Sequence, residues 1–211
     1  MQLPPLIEVR GVARRMGDRL VFRRLDFTWS APALLCVRAV NGAGKTTLLA
    51  LLAGALAPDS GDILVQGHSL ATQGQAARRA LAYVPDDCPV YPFLTGREWL
   101  AFVQALRGCD ERVAQQLLAQ LHLQVQLDVR FGAMSLGTAR KFLLVSALMC
   151  ATPVLLLDEP TNGLDAASFE VLRQHLAQRA RSGLVVLTCH DLGQQERLGA
   201  RPVELASLEA P

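Results

Sequence analysis

The stretch Val37-Arg38-Ala39-Val40-Asn41-Gly42-Ala43-Gly44-Lys45-Thr46-Thr47 decides how the rest of the chain is read. Ahead of it residues 33–37 form a short apolar run, and behind it residues 48–56 are almost wholly Leu and Ala. A glycine-rich loop therefore stands where a strand hands over to a helix. Small residues at Gly42, Ala43 and Gly44 let backbone N–H groups close on an anion, and the helix N-terminus adds about half a positive charge. Lys45 is placed to reach the β and γ phosphates of a nucleotide, and Thr46 to offer its hydroxyl to Mg²⁺. The pattern G-x-x-x-x-G-K-[ST] is met with one departure, Ala39 in place of the first glycine. Alanine suits that position only where the backbone is ordinary, with negative φ. Taken alone, the stretch is also compatible with a tight turn ahead of a core helix.

At 211 residues, with 51% hydrophobic and 19% charged side chains, the chain has the material for one large α/β domain with a sizeable core. No uncharged apolar run approaches the 18 or more residues of a membrane-spanning helix. Residues 46–58 and 142–151 read instead as helices buried against a sheet. The N-terminal Met-Gln-Leu-Pro-Pro-Leu-Ile-Glu has neither a basic n-region nor a long apolar core, so no export signal is expected and residence in the cytosol follows. Five cysteines, at 36, 88, 109, 150 and 189, form no C-x-x-C pair and are expected to be reduced and mostly buried. A net charge of +2 and the lack of a basic block give no support to a nucleic-acid partner.

Residues 6–12 and 25–29 read as strands of an antiparallel lead-in. Pro58-Asp59-Ser60-Gly61 is a turn signal, residues 63–65 a short strand, residues 76–79 a helical turn, and residues 81–84 a strand stopped by Pro85. The character then changes. A proline-rich loop with Tyr91 and Phe93 leads to Thr95, which opens a helix with Glu98 in capping-box spacing, and a second helical pattern covers residues 111–121. Residues 86–134 are expected to form a helical subdomain inserted into an α/β core of residues 1–85 and 135–211. Helices are expected at 138–150, 166–181 and 192–198, strands at 154–157 and 184–188, and little from the tail.

The apolar run of residues 154–157 ends in Asp158-Glu159, two carboxylates at the carboxyl end of a buried strand, where open α/β sheets bind their ligands. Asp158 is placed to hold Mg²⁺ through its water shell, and Glu159 to orient and deprotonate an attacking water. His190, at the end of the next strand, can approach the γ-phosphate.

Four motifs, Asn41-Gly42-Ala43-Gly44-Lys45-Thr46-Thr47, Leu157-Asp158-Glu159-Pro160-Thr161, Gly163-Leu164-Asp165 and Thr188-Cys189-His190-Asp191, occur in that order. With them the chain resembles the nucleotide-binding domain of ABC transporters over residues 6–198. The resemblance implies an α/β fold of the P-loop NTPase type, with a mostly parallel core sheet beside the antiparallel lead-in and inserted helices. It also implies a head-to-tail dimer, or pairing with a related ATPase subunit, in which ATP lies between the phosphate loop of one copy and Ser135-Leu136-Gly137 of the other. Ser135, Gly137 and Asp165 thereby join the nucleotide-binding set, with Glu159 and His190 as the catalytic pair.

Two further departures bear on the site. Asp86 stands where the family usually has glutamine and is expected to share the metal with Thr46 and Asp158; Met16 stands where an aromatic usually stacks on adenine. The Ser-Leu-Gly loop and short length resemble bacterial exporters, including the haem exporters of cytochrome c maturation. Such a subunit would work with separate transmembrane permease subunits on the inner face of the cell membrane, and Tyr91, Phe93 and Trp99 are candidate docking contacts. The competing expectations are a soluble ABC-type ATPase or a weakly hydrolysing nucleotide switch.

Overall fold

A computed structural model describes residues 3–210; Met1 and Gln2 of the N-terminal stretch read above lie outside the described residues. In chain order the elements are β1 (Ile7–Met16), β2 (Arg19–Trp29), β3 (Ala33–Arg38), α1 (Lys45–Leu52), β4 (Ser60–Val65), β5 (His68–Ser69), α2 (Gly74–Arg79) and β6 (Leu81–Val84). They continue with α3 (Gly96–Arg107), α4 (Glu111–Gln120), α5 (Leu136–Leu148), β7 (Val154–Leu157), α6 (Ala166–Arg179), β8 (Leu184–Thr188), α7 (Leu192–Leu198) and β9 (Arg201–Glu204).

The strands form two sheets, an antiparallel one in the order β2-β1-β4-β5 and a parallel one in the order β6-β7-β8-β3-β9. Side chains of a strand point alternately to its two faces, and both faces of the parallel sheet are covered. Leu35, Val37, Val154, Leu156, Leu184 and Val186 bury on one side with α1 and the antiparallel sheet. Cys36, Leu155, Leu157, Val185 and Leu187 bury on the other with α4, α5 and α6. This two-sided burial is why β7 and β8 are continuous apolar runs. The helices of residues 86–134 share that second core, since Leu117, Leu118 and Phe131 bury in one cluster with Phe142 and Leu143 of α5.

The lead-in strands are longer than expected. They run through Arg14 and Arg15 to a turn at Gly17-Asp18, because hairpin pairing carries the polar residues with it. α1 stops at Leu52, ahead of Gly54 in the left-handed region. α5 begins earlier than expected because Ser135 caps it, its Oγ accepting from the Thr138 N–H at 3.2 Å. The tail is structural: β9 adds an edge strand beside β3, an edge being where Pro202 costs no ladder bond, and Leu205 and Leu208 are buried.

The cysteine expectation is corrected. Cys109, between α3 and α4, and Cys150, just after α5, form a disulfide with Cα atoms 4.6 Å apart, while Cys36, Cys88 and Cys189 are free. The two lie 41 positions apart in sequence, so the packing of α3 and α4 on α5 brings them together. No described helix is long and apolar enough to cross a membrane.

Candidate active site

The loop from β3 to α1 does what its glycines require. Gly42 and Gly44 have φ of +76° and +110°, which side chains rarely adopt, and a Cβ on Gly44 would lie 2.7 Å from Val21 Cγ1. Ala39 is not among the described non-glycine residues with positive φ, so the missing first glycine leaves the backbone there ordinary. Arg19 Nη2 donates to the Gly42 carbonyl at 2.5 Å and braces the loop from the lead-in hairpin. Lys45 is 8% exposed, and its Nζ donates to the Ala39 carbonyl at 2.9 Å. With no carboxylate as its hydrogen-bond partner, this ammonium is free to exchange that carbonyl for an anion.

β7 and β8 run in parallel register with Leu157 opposite Leu187, so Asp158 comes beside Thr188. Thr188, fully buried, donates from Oγ1 to Asp158 Oδ1 at 2.6 Å and accepts from the Glu159 N–H at 2.9 Å. Asp158 Oδ2 is buried with no hydrogen-bond partner among the described residues. An orphaned carboxylate oxygen in a closed site is an open place for a cation or its water shell. Glu159 takes φ of +47°, a conformation that costs a non-glycine residue about 1–3 kcal/mol and persists only where surroundings over-determine it. Its Oε2 accepts from the His190 N–H at 3.0 Å, and its Oε1 lies 3.3 Å from His190 Nε2. Burial raises the Glu159 pKa above its ordinary value, with the nearby His190 opposing the shift.

Asn41, Gly42, Gly44, Lys45, Thr46, Thr47, Glu159 and His190 line one cleft of about 340 Å³ at the carboxyl edge of the parallel sheet. Ala43 is in the same loop, its N–H bonded to the Val40 carbonyl at 3.2 Å. The Met16 sulfur is 3.8 Å from the Thr47 hydroxyl, so Met16 is at the loop's flank.

Other expected members fall elsewhere. Asp86 does not line the cleft in this chain, and its Oδ1 accepts from Arg140 Nη2 at 2.7 Å. Ser135 and Gly137 begin α5 away from the cleft, where a Cβ on Gly137 would come within 2.8 Å of the Gly163 carbonyl. Asp165 caps α6 through the Ser168 N–H at 2.8 Å and pairs with Lys141 at 2.7 Å, and these contacts hold its carboxyl well below the usual range. Trp99 packs edge-on against Phe131 in the core, whereas Tyr91 and Phe93 are exposed and stacked at 5.4 Å. Thr188 stands in a quoted motif without a role assigned to it, whereas Arg19 and Arg140, which brace the glycine loop and the turn after β7, lie in none of the motifs.

Residues 22–162 match the family model described as ABC transporter. The chain is 34% identical over 197 residues to the Nod factor export ATP-binding protein I of Burkholderia lata, covering 91% of this chain and 65% of that protein. It therefore spans about two thirds of the length of those first relatives. It is also 34% identical over 206 residues to the cytochrome c biogenesis ATP-binding export protein of Pseudomonas putida, covering 97% of this chain and 98% of that one. A solved ATP-binding subunit of an ABC transporter superposes with a TM-score of 0.85 at 27% identity, over 95% of this chain and 85% of the other. A glycine loop, a paired-carboxylate strand end and a histidine meet on one cleft, and that cleft sits in a matching fold and sequence: the chain belongs to the ABC transporter family, as an ATP-binding member.

Proposed function

We propose that this chain is the ATP-hydrolysing subunit of a bacterial exporter, closing as a head-to-tail dimer on the inner face of the cell membrane and driving separate membrane-spanning subunits. The observation that carries the reading is the convergence of Lys45, Glu159 and His190 on one cleft, with Asp158 Oδ2 buried and unpartnered beside them. The export assignment rests on relatives whose names describe export, one of them matched almost end to end.

In this reading Lys45 leaves the Ala39 carbonyl for the β and γ phosphates, and the amides of residues 41–47 cradle the chain of phosphates. Thr46 and Asp158 would hold Mg²⁺, and the ion would supply positive charge against that developing on the phosphates. Glu159 takes the proton of the attacking water, and its raised pKa makes it a stronger base than an exposed carboxylate. His190 keeps the Glu159 carboxylate oriented through its N–H and approaches the γ-phosphate with its ring. Ser135 and Gly137 meet the partner's nucleotide at the N-terminus of α5.

Replacing Glu159 by Gln is expected to preserve ATP binding, slow turnover by about 10²-fold or more, and trap an ATP-dependent dimer visible by size exclusion. Turnover unchanged in that variant would remove Glu159 from this role. Tyr91 and Phe93 form the proposed contact with the membrane subunits, and co-purification that survives Tyr91→Ala with Phe93→Ala would discard it.

A further inference from the structure

We propose that Arg140 is a positioning residue for hydrolysis: its guanidinium holds the turn that presents Glu159, and Asp86 is the anchor that holds the guanidinium. The inference rests on the reading of Glu159 as the group that takes the proton from water.

Arg140 lies in the second turn of α5, a charged side chain only 5% exposed in a helix whose other buried residues are apolar apart from Ser146. Its Nη1 donates to the Asn162 carbonyl at 3.1 Å and, at a longer 3.5 Å, to the Glu159 carbonyl, so one arm of the planar fork spans the turn from residue 159 to residue 162 while Nη2 is left for Asp86. That turn holds Glu159 at positive φ. Thr188 secures the Glu159 N–H, His190 secures its carboxylate, and the Asn162 N–H closes the turn on the Glu159 carbonyl at 3.2 Å; Arg140 is the side chain that reaches the carbonyls of this turn from α5. The start of α5 adds a second contact, since the Gly137 Cα packs too closely on the Gly163 carbonyl to admit a side chain. α5 therefore grips both ends of the segment from Glu159 to Gly163.

Asp86 supplies the counter-charge. It binds Arg140 Nη2 through its carboxylate at 2.7 Å and also through its backbone carbonyl, and it accepts from Asn162 Nδ2 at 3.4 Å. A buried guanidinium stripped of its carboxylate would be left uncompensated and would seek another place. Asp86 thus does its work by fixing Arg140 rather than by meeting a metal. It also follows β6 and opens the segment leading to α3, so the entry to the helical segment is tied to the turn that presents Glu159.

The experiment is steady-state turnover, KM and nucleotide affinity for the parent, Arg140→Ala, Arg140→Lys, Asp86→Asn, Glu159→Gln and the Glu159→Gln with Arg140→Ala double variant. Arg140→Ala is expected to lower kcat roughly 10- to 100-fold while KM and ATP affinity stay within about two-fold, because the phosphate loop is untouched. Arg140→Lys keeps the charge but lacks the fork, and is expected to recover only part of the loss. In the Glu159→Gln background the same Arg140→Ala change is expected to lower the residual turnover by less than about two-fold, since no carboxylate remains to be positioned.

Losses that multiply in the double variant would overturn the proposal, as would Arg140→Ala turnover within about two-fold of the parent or an equal fall in affinity and kcat. Should Arg140→Ala fail to fold, Asp86→Asn carries the test: a several-fold lower kcat at an unchanged melting temperature supports the anchor, and parental kcat overturns it. A Glu159→Gln chain that turned over like the parent would remove the base itself, an outcome distinct from multiplied losses beside an inactive Glu159→Gln.

Discussion

Glu159 carries a raised pKa because its carboxylate is buried, and that shift has a consequence for stability that is separate from catalysis. A carboxyl whose folded pKa lies above its ordinary 4.5 stabilises the fold fully below 4.5, and the contribution is lost as pH rises through the folded value. As pH rises above that ordinary value the parent therefore loses stability that Glu159→Gln keeps. The variant is expected to melt higher without nucleotide by about 2–4 °C for each kcal/mol relieved, with the gap closing toward pH 4.5. Melting curves of both proteins across that range check it, and a gap that widens as pH falls would contradict it. At this scale Lys45, Asp158, Glu159 and His190 were legible because short motifs mark strand ends and loops. Thr188 stood in the motif ahead of His190, but its bond to Asp158 follows only from register, as parallel pairing sets the two side by side. Arg140 left no mark, because a burial-dependent contact between residues 54 apart in sequence has no local signature. The ion pair of Asp86 was hidden for the same reason: its partner is on α5.

β6, β7, β8 and α7 were readable to the residue, because periodicity, Pro85 and strong caps coincide there with burial. β9 was not, since four residues including Pro202 and two charges make no strand pattern and form one only by pairing with β3. The disulfide escaped likewise, as spacing says nothing of the approach of Cys109 to Cys150. It ties the α3–α4 corner to the end of α5, closing a loop between residues 41 apart. Loop-closure entropy assigns such a cross-link roughly 4 kcal/mol, acting on the unfolded chain. Reduction is expected to lower the melting temperature by about 10 °C in a chain of this length. A Cys109→Ser, Cys150→Ser variant should melt at the lower temperature with or without reductant. Equal melting of oxidised and reduced parent would show that the bridge adds no stability.

At the scale of the whole molecule, the cleft on Lys45 and the Ser135-Gly137 start of α5 are both formed, yet the chain does not bring them together. In the proposed head-to-tail dimer a two-fold axis would place the phosphate loop of each copy opposite Ser135 and Gly137 of the other, twice. This arrangement makes a prediction that single-chain chemistry does not. Lys45→Ala removes the phosphate contact of its own cleft, and Ser135→Arg puts bulk and charge on the surface offered to the other copy, so each variant alone is expected to lose turnover. In an equimolar mixture about half of the dimers pair one of each, and each such dimer has one cleft intact on both sides. If sites turn over independently, the mixture recovers about a quarter of parental activity per chain, rising with total concentration as dimers form. ATP turnover of the separate and mixed proteins measures this directly. Recovery fixes the site as shared between copies, whereas a mixture as inactive as its components, with mixed dimers present by size exclusion, would place Ser135 outside the hydrolytic site.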